Sequence, residues 1–127
     1  MIVVDTSVWV QSLRGGHPHT AAMLQQLLDA DEVALPLPVR IELMSGVGRR
    51  DRASLGRALS GLPVVFPTEE TWRQIERWVE RAAGAGQHFA VTDLLIAALA
   101  DEIGGLIWSL DDDFARMARL KIAHLYQ

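Results

Sequence analysis

Met1-Ile2-Val3-Val4-Asp5-Thr6-Ser7-Val8-Trp9 opens the chain and decides how the rest is read. The first four residues are apolar and partly β-branched, as in a short buried strand, and Asp5-Thr6-Ser7 ends it with side chains that cap helices. A helix through Val8, Trp9, Val10 and Leu13 is expected to follow. The same unit recurs near the other end, where the strand-like Leu106-Ile107-Trp108 runs into Ser109-Leu110-Asp111-Asp112-Asp113. Carboxylates that directly follow buried parallel strands fall on the carboxyl edge of the sheet, where α/β folds keep their working crevice.

Outward from these two ends, the chain alternates. Arg14-Gly15-Gly16-His17-Pro18 reads as a loop with glycine stopping the helix. Residues 19–29 have helical spacing, and Val33-Ala34-Leu35 reads as a second strand broken by Pro36 and Pro38. Helices are expected over 39–47 and 51–60, with a strand Val64-Val65-Phe66 after them. Thr68 caps a long helix with Glu69 and Glu70 in its first turn and an apolar stripe of Trp72, Ile75, Trp78, Val79 and Ala82. Thr92 is expected to cap a helix reaching about Glu102, a short helix to span 113–119, and Ile122–Leu125 to form a last strand. This order implies one α/β domain over residues 1–127, built on a short, mainly parallel sheet.

The 127 residues suit one core, and half are hydrophobic, which disfavours disorder. The longest apolar runs fall well short of the roughly 20 residues of a membrane span, and no secretory leader pattern precedes the first strand. A cytoplasmic protein without membrane association is the expectation. Absence of cysteine excludes disulfides and thiolate zinc sites. The net charge of −4 argues against a general nucleic-acid coat but not against an enzyme that grips nucleic acid locally. Seven acids are expected around one site and bias that total: Asp5, Glu42, Asp93, Asp101, Asp111, Asp112 and Asp113.

Taken singly, the acids have ordinary roles. Asp5 fits a capping cluster, Asp93 a helix-dipole partner, Asp111–Asp113 a solvated turn, and Glu42 a partner of Arg40 or Arg49. What sets them apart is convergence. Asp5 and Asp111 follow strands, Asp93 starts a helix, and Glu42 lies one turn into the helix after the second strand. Carboxylates gathered at a buried edge repel one another and lose hydration unless a cation compensates. Hard oxygen donors select Mg²⁺ or Mn²⁺, and the chemistry such a cup suits is phosphodiester hydrolysis by metal-activated water, with a second ion able to stabilise the leaving oxygen.

Val3-Val4-Asp5-Thr6-Ser7-Val8-Trp9 resembles the opening signature of the PIN-domain ribonucleases, and most of all the VapC-type toxins of bacterial toxin–antitoxin pairs. Arg40-Ile41-Glu42-Leu43 resembles the second acidic motif of that family, Thr92-Asp93-Leu94-Leu95-Ile96-Ala97-Ala98 the third, and Trp108-Ser109-Leu110-Asp111-Asp112-Asp113-Phe114 the fourth. Order and spacing hold over nearly the whole chain. The resemblance implies a three-layer α/β/α sandwich and a Mg²⁺- or Mn²⁺-dependent endoribonuclease that leaves a 5′-phosphate. It also implies a cognate antitoxin as partner and a homodimer. It makes Asp5, Glu42, Asp93 and Asp111 the metal-binding acids and Asp113 a fifth. Asp112 falls at a variable position, and Thr6 and Ser109 at small-hydroxyl positions that orient a carboxylate or a bound water.

Arg14, Arg40, Arg49, Arg50 and Arg52 are candidate contacts to RNA phosphates, with Arg49-Arg50-Asp51-Arg52 the leading group. Trp9 and Leu13 are expected to leave apolar surface for the antitoxin. Trp72 and Trp78 are expected in the core or a subunit interface. His17 and His19 have no further ligands nearby in sequence and take no role. Two rival readings remain. A phosphoacceptor receiver-like signalling domain is also α/β, but wants an acidic pair after the first strand and a lysine after the last. Here Asp5 stands alone, and Lys121 precedes the last expected strand. A non-catalytic PIN-like protein-binding module would not need all four acidic positions filled. A nuclease directed at DNA falls within the same chemistry.

Overall fold

The computed structural model describes residues 1–127. Its elements in chain order are β1 (Ile2–Val4), α1 (Thr6–Arg14), α2 (Pro18–Asp29), β2 (Val33–Pro36), α3 (Leu37–Gly46), α4 (Arg49–Leu59), β3 (Val64–Val65), α5 (Glu69–Gly84), α6 (Val91–Glu102), β4 (Leu106–Trp108) and α7 (Asp112–Arg119). The sheet order is β3-β2-β1-β4, and every pairing is parallel. Ile2, Val3 and Val4 are buried in succession, as are Val33, Ala34 and Leu35. A strand can bury consecutive residues only when both faces are covered, so helices flank the sheet on both sides in the expected three-layer α/β/α arrangement.

Register positions the site. Val4 lies opposite Trp108, and the Asp5 backbone N–H donates to the Trp108 carbonyl at 2.9 Å. The next residues of the two strands, Asp5 and Ser109, therefore leave the sheet side by side. α6 is packed into the core, with Leu94, Ile96, Ala97, Ala98, Leu99 and Ala100 all buried. Asp93 sits in its first turn, at the end of the helix that carries the positive dipole.

Several expectations are corrected. α6 starts at Val91 after Ala90, so Thr92 is inside the helix rather than its cap. Pro36 ends β2, and Pro38 lies in the first turn of α3, where a missing N–H costs nothing. α4 begins two residues early, at Arg49. β3 is only Val64–Val65, and Phe66 is exposed. The expected last strand reduces to one parallel bridge between Ile107 and Leu125, held by Ile107 N–H to His124 O and Tyr126 N–H to Ile107 O, both 2.8 Å. Trp9 is a core residue, 6% exposed, so the apolar surface expected there reduces to Leu13 at 59%. On α5 the buried stripe is Thr71, Ile75, Trp78 and Ala82. Trp72 and Val79 sit one position off it and stay exposed. Thr71 fills its buried place by donating to Glu102 on α6 and accepting from the Thr68 backbone N–H at 2.9 Å.

Candidate active site

Asp93, Asp111 and Asp113 each present a carboxylate oxygen, and these oxygens lie within 4.8 Å of one another. Asp5 and Glu42 border the same cup: both raise the affinity of Asp93 for a proton, as do Asp111 and Asp113. Loss of hydration is the larger cause, and together the effects push the Asp93 carboxyl up to about 6. The favourable end of the α6 dipole does not offset them. Glu42 is raised as well. Its carboxyl loses hydration and feels Asp5, and the Thr6 hydroxyl opposes the shift by donating to Glu42 Oε1 at 3.2 Å.

Asp5, buried at the end of β1, is the most tightly fixed of the acids. Its Oδ2 accepts from Ser7 Oγ at 2.9 Å and from Ser109 Oγ at 2.8 Å. The two hydroxyls lie 3.3 Å apart. Ser7 Oγ also accepts from the Leu110 N–H at 3.1 Å, and Ser109 Oγ from the Asp111 N–H at 2.9 Å. The loop that presents Asp111 is thus folded around the same hydroxyls that hold Asp5. Asp111 in turn caps α7, its Oδ1 accepting from the Asp113 N–H at 2.9 Å.

The expected residues Asp5, Glu42, Asp93, Asp111 and Asp113 come together, with Thr6 and Ser109 each holding a carboxylate. Asp112 is exposed at the start of α7 and outside the cluster. Asp101 does not belong to the site: it lies eight residues along α6 from Asp93, roughly 12 Å at helical rise. Two participants were not singled out in the sequence. In the sequence Ser7 is legible only as part of the Asp5-Thr6-Ser7 capping cluster. Arg116 donates to Asp113 Oδ1 and to Gln87 Oε1. Its position three residues after Asp113 on a helix was the available signal.

The arginines divide. Arg14 shares the wall of a cleft of about 230 Å³ with Glu42, Val10, Leu13, Leu43, Gly46 and Val47. Arg52 is occupied, donating to the carbonyls of Met44 and Val47 at 3.3 Å each and so satisfying the end of α3. Arg40 borders a separate depression with Arg52, Ile41 and Met44. Arg49 and Arg50 are exposed in the first turn of α4, the end of a helix that disfavours cations. Neither Arg40 nor Arg49 forms an ion pair with Glu42; Thr6 takes that place.

The PIN domain family model matches residues 2–120. The chain belongs to the PIN-domain family. Among relatives of this PIN domain, Ribonuclease VapC11 of Mycobacterium tuberculosis is 33% identical over 125 residues, which is 94% of this chain and 93% of that protein. Ribonuclease VapC18 of the same organism is 30% identical over 122 residues, covering 92% and 87%. The fold is similar to that in the crystal structure of VapBC2 from Rickettsia felis bound to a promoter DNA fragment, with a TM-score of 0.80 over 99% of this chain and 98% of that one at 18% identity. This membership removes the receiver-like reading. No helix is long and apolar enough to cross a membrane.

Proposed function

We propose that this PIN domain is a metal-dependent endoribonuclease acting as the toxin of a toxin–antitoxin pair. The observation that carries the reading is the convergence of Asp5, Glu42, Asp93, Asp111 and Asp113, drawn from four separate stretches of chain, with Asp93 shifted towards protonation by loss of hydration and by the other four. Such a cluster is unfavourable by itself and fits a hard dication, because every donor is a carboxylate oxygen and no thiolate is present. The similarity to proteins named ribonucleases supports RNA as the substrate.

In this reading Asp93, Asp111 and Asp113 hold Mg²⁺ or Mn²⁺, with Asp5 and Glu42 completing the cup. A dication bound there supplies a lowered pKa for an attacking water and positive charge for the developing phosphorane oxygens. The residues of the chain provide order. Ser7 and Ser109 hold Asp5 by one oxygen, which leaves Oδ1 without a donor. Thr6 orients Glu42. Arg14, on the cleft wall beside Glu42, offers a guanidinium to an RNA phosphate. Arg49 and Arg50, exposed at the start of α4, are further candidates for RNA phosphates, and Arg40 lies on α3 with Glu42.

The cognate antitoxin is placed by the same proposal on the exposed apolar rim at Leu13, which lines clefts on both sides with Val47, Leu43 and Leu55. A homodimer in the cytoplasm completes the proposal. Against a non-catalytic module stands the retention of every carboxylate in an arrangement that costs folding energy. The test is incubation of the purified chain with a labelled RNA in Mg²⁺ or Mn²⁺, with and without EDTA. Cleavage that the chelator abolishes is expected. Cleavage that survives EDTA, or none at all in either metal, rejects the reading.

A further inference from the structure

The guanidinium of Arg116 is held from three sides. One terminal nitrogen donates to Asp113 Oδ1, the other to Gln87 Oε1, and Cζ lies 4.9 Å from the centre of the buried Phe89 ring. Its partners sit on different elements. Asp113 is in the first turn of α7, next to Asp111 at the cap. Gln87 and Phe89 belong to the connection that leads into α6, whose first turn carries Asp93. One side chain therefore ties the element bearing two of the clustered carboxylates to the segment that launches the third. The three carboxylates within 4.8 Å repel, and repulsion drives these two elements apart unless something holds them.

We propose that Arg116 is a positioning residue for the cup: by bridging Asp113 to Gln87 and stacking on Phe89, it sets the spacing between Asp93 and the Asp111–Asp113 pair before a dication arrives. This rests on the reading of the cup as a Mg²⁺ or Mn²⁺ site. Geometry and charge make opposite demands here. As a bare positive charge beside the cup, Arg116 weakens dication binding by repulsion, and its removal tightens binding. As a clamp, it keeps the oxygens within reach of one ion, and its removal loosens binding. Its bond to Asp113 is made to Oδ1 and leaves Oδ2 without a side-chain donor. Lysine cannot replace it, because a point charge does not bridge two acceptors while lying flat on a ring.

The test is calorimetric titration of the purified full chain with MnCl₂, comparing wild type, Arg116→Lys, Arg116→Met and Gln87→Ala, each first shown to melt cooperatively without metal. The clamp predicts that Kd for Mn²⁺ rises about tenfold in both Arg116 variants, in the range seen when groups orienting metal ligands are removed, and by a smaller factor in Gln87→Ala. A Kd in Arg116→Met equal to or tighter than wild type overturns the proposal, as does a Lys variant that binds like wild type. If the Arg116 variants do not fold, Gln87→Ala decides alone, since it keeps the pair with Asp113 and the buried ring. Unchanged Mn²⁺ affinity there overturns the clamp. Wild type that binds no Mn²⁺ is a separate result, which removes the metal reading itself and the clamp with it.

Discussion

Ser109 donates its hydroxyl to Asp5 Oδ2 at 2.8 Å, joining residues 104 positions apart. The contact follows from the parallel register of β1 and β4, which sets the residue after Val4 beside the residue after Trp108. Ser7 adds a second hydroxyl to the same oxygen. A carboxylate held this way keeps one orientation when ligand enters, which is how groups behind metal-binding acids act.

Replacing Ser109 with alanine therefore lowers the RNA cleavage rate about 10- to 100-fold. Stability falls by about 2 kcal/mol, because the hydroxyl makes two hydrogen bonds, to Asp5 Oδ2 and from the Asp111 N–H, each with a net value of about 1 kcal/mol. Cleavage kinetics and urea unfolding on the same preparations check both numbers. A cleavage rate equal to wild type contradicts the assigned role.

Asp93→Asn stabilises the metal-free protein at neutral pH. The folded-state carboxyl is raised to about 6 from its ordinary value of 3.8, so between these two pH values the folded chain holds more protons than the unfolded one. Stability contributed by this group is thus full below about pH 4, declines as pH rises to about 6, and is absent above that. Asp93 is partly solvated, so the advantage of the Asn variant at pH 7.5 is about 1 kcal/mol after allowance for screening. It should shrink to nothing as the pH is lowered towards 4. Thermal or urea unfolding of both proteins across that range measures it, and a pH-independent difference contradicts it.

Added Mn²⁺ raises the melting temperature of the wild type. At 100 times Kd the stabilisation is about 2.7 kcal/mol. Protons compete for Asp93, so the apparent affinity weakens as pH falls below about 6. Differential scanning calorimetry at pH 7.5 and 5.5 reads both effects, and an unchanged melting temperature at both pH values counts against a metal site.

Leu13→Glu weakens the complex with the cognate antitoxin at least about tenfold, roughly 1.4 kcal/mol. The residue is exposed, so the free chain keeps its fold. Titration calorimetry with the antitoxin decides. Unchanged affinity moves the interface elsewhere.

Much of this was legible in the chain before folding was considered. The strand runs Ile2–Val4 and Leu106–Trp108 announce themselves by β-branched and aromatic content, and the acids after them fall on the carboxyl edge because all strands are parallel. Helix starts were less legible. Ala90 is an unremarkable cap, so the hydroxyl of Thr92 drew the boundary two residues late. The burial of Trp9 depends on which side of α1 meets the sheet, and a short helix with apolar residues at Val8, Trp9, Val10 and Leu13 does not declare that side. Trp72 lies beside the core stripe rather than in it, because Thr71 takes the core position by satisfying its hydroxyl with Glu102, and of the two places expected for Trp72 only the subunit interface is left. The bridges from Ser7 to Leu110 and from Arg116 to Gln87 span 103 and 29 positions, and such pairings arise only from how loops pack.

The most direct measurement compares wild type and Asp93→Asn side by side on one labelled RNA with saturating Mn²⁺ at pH 7.5. The account predicts defined internal cleavage by wild type and loss of at least about a hundredfold in the variant, which remains folded. Equal cleavage by the two proteins would contradict it.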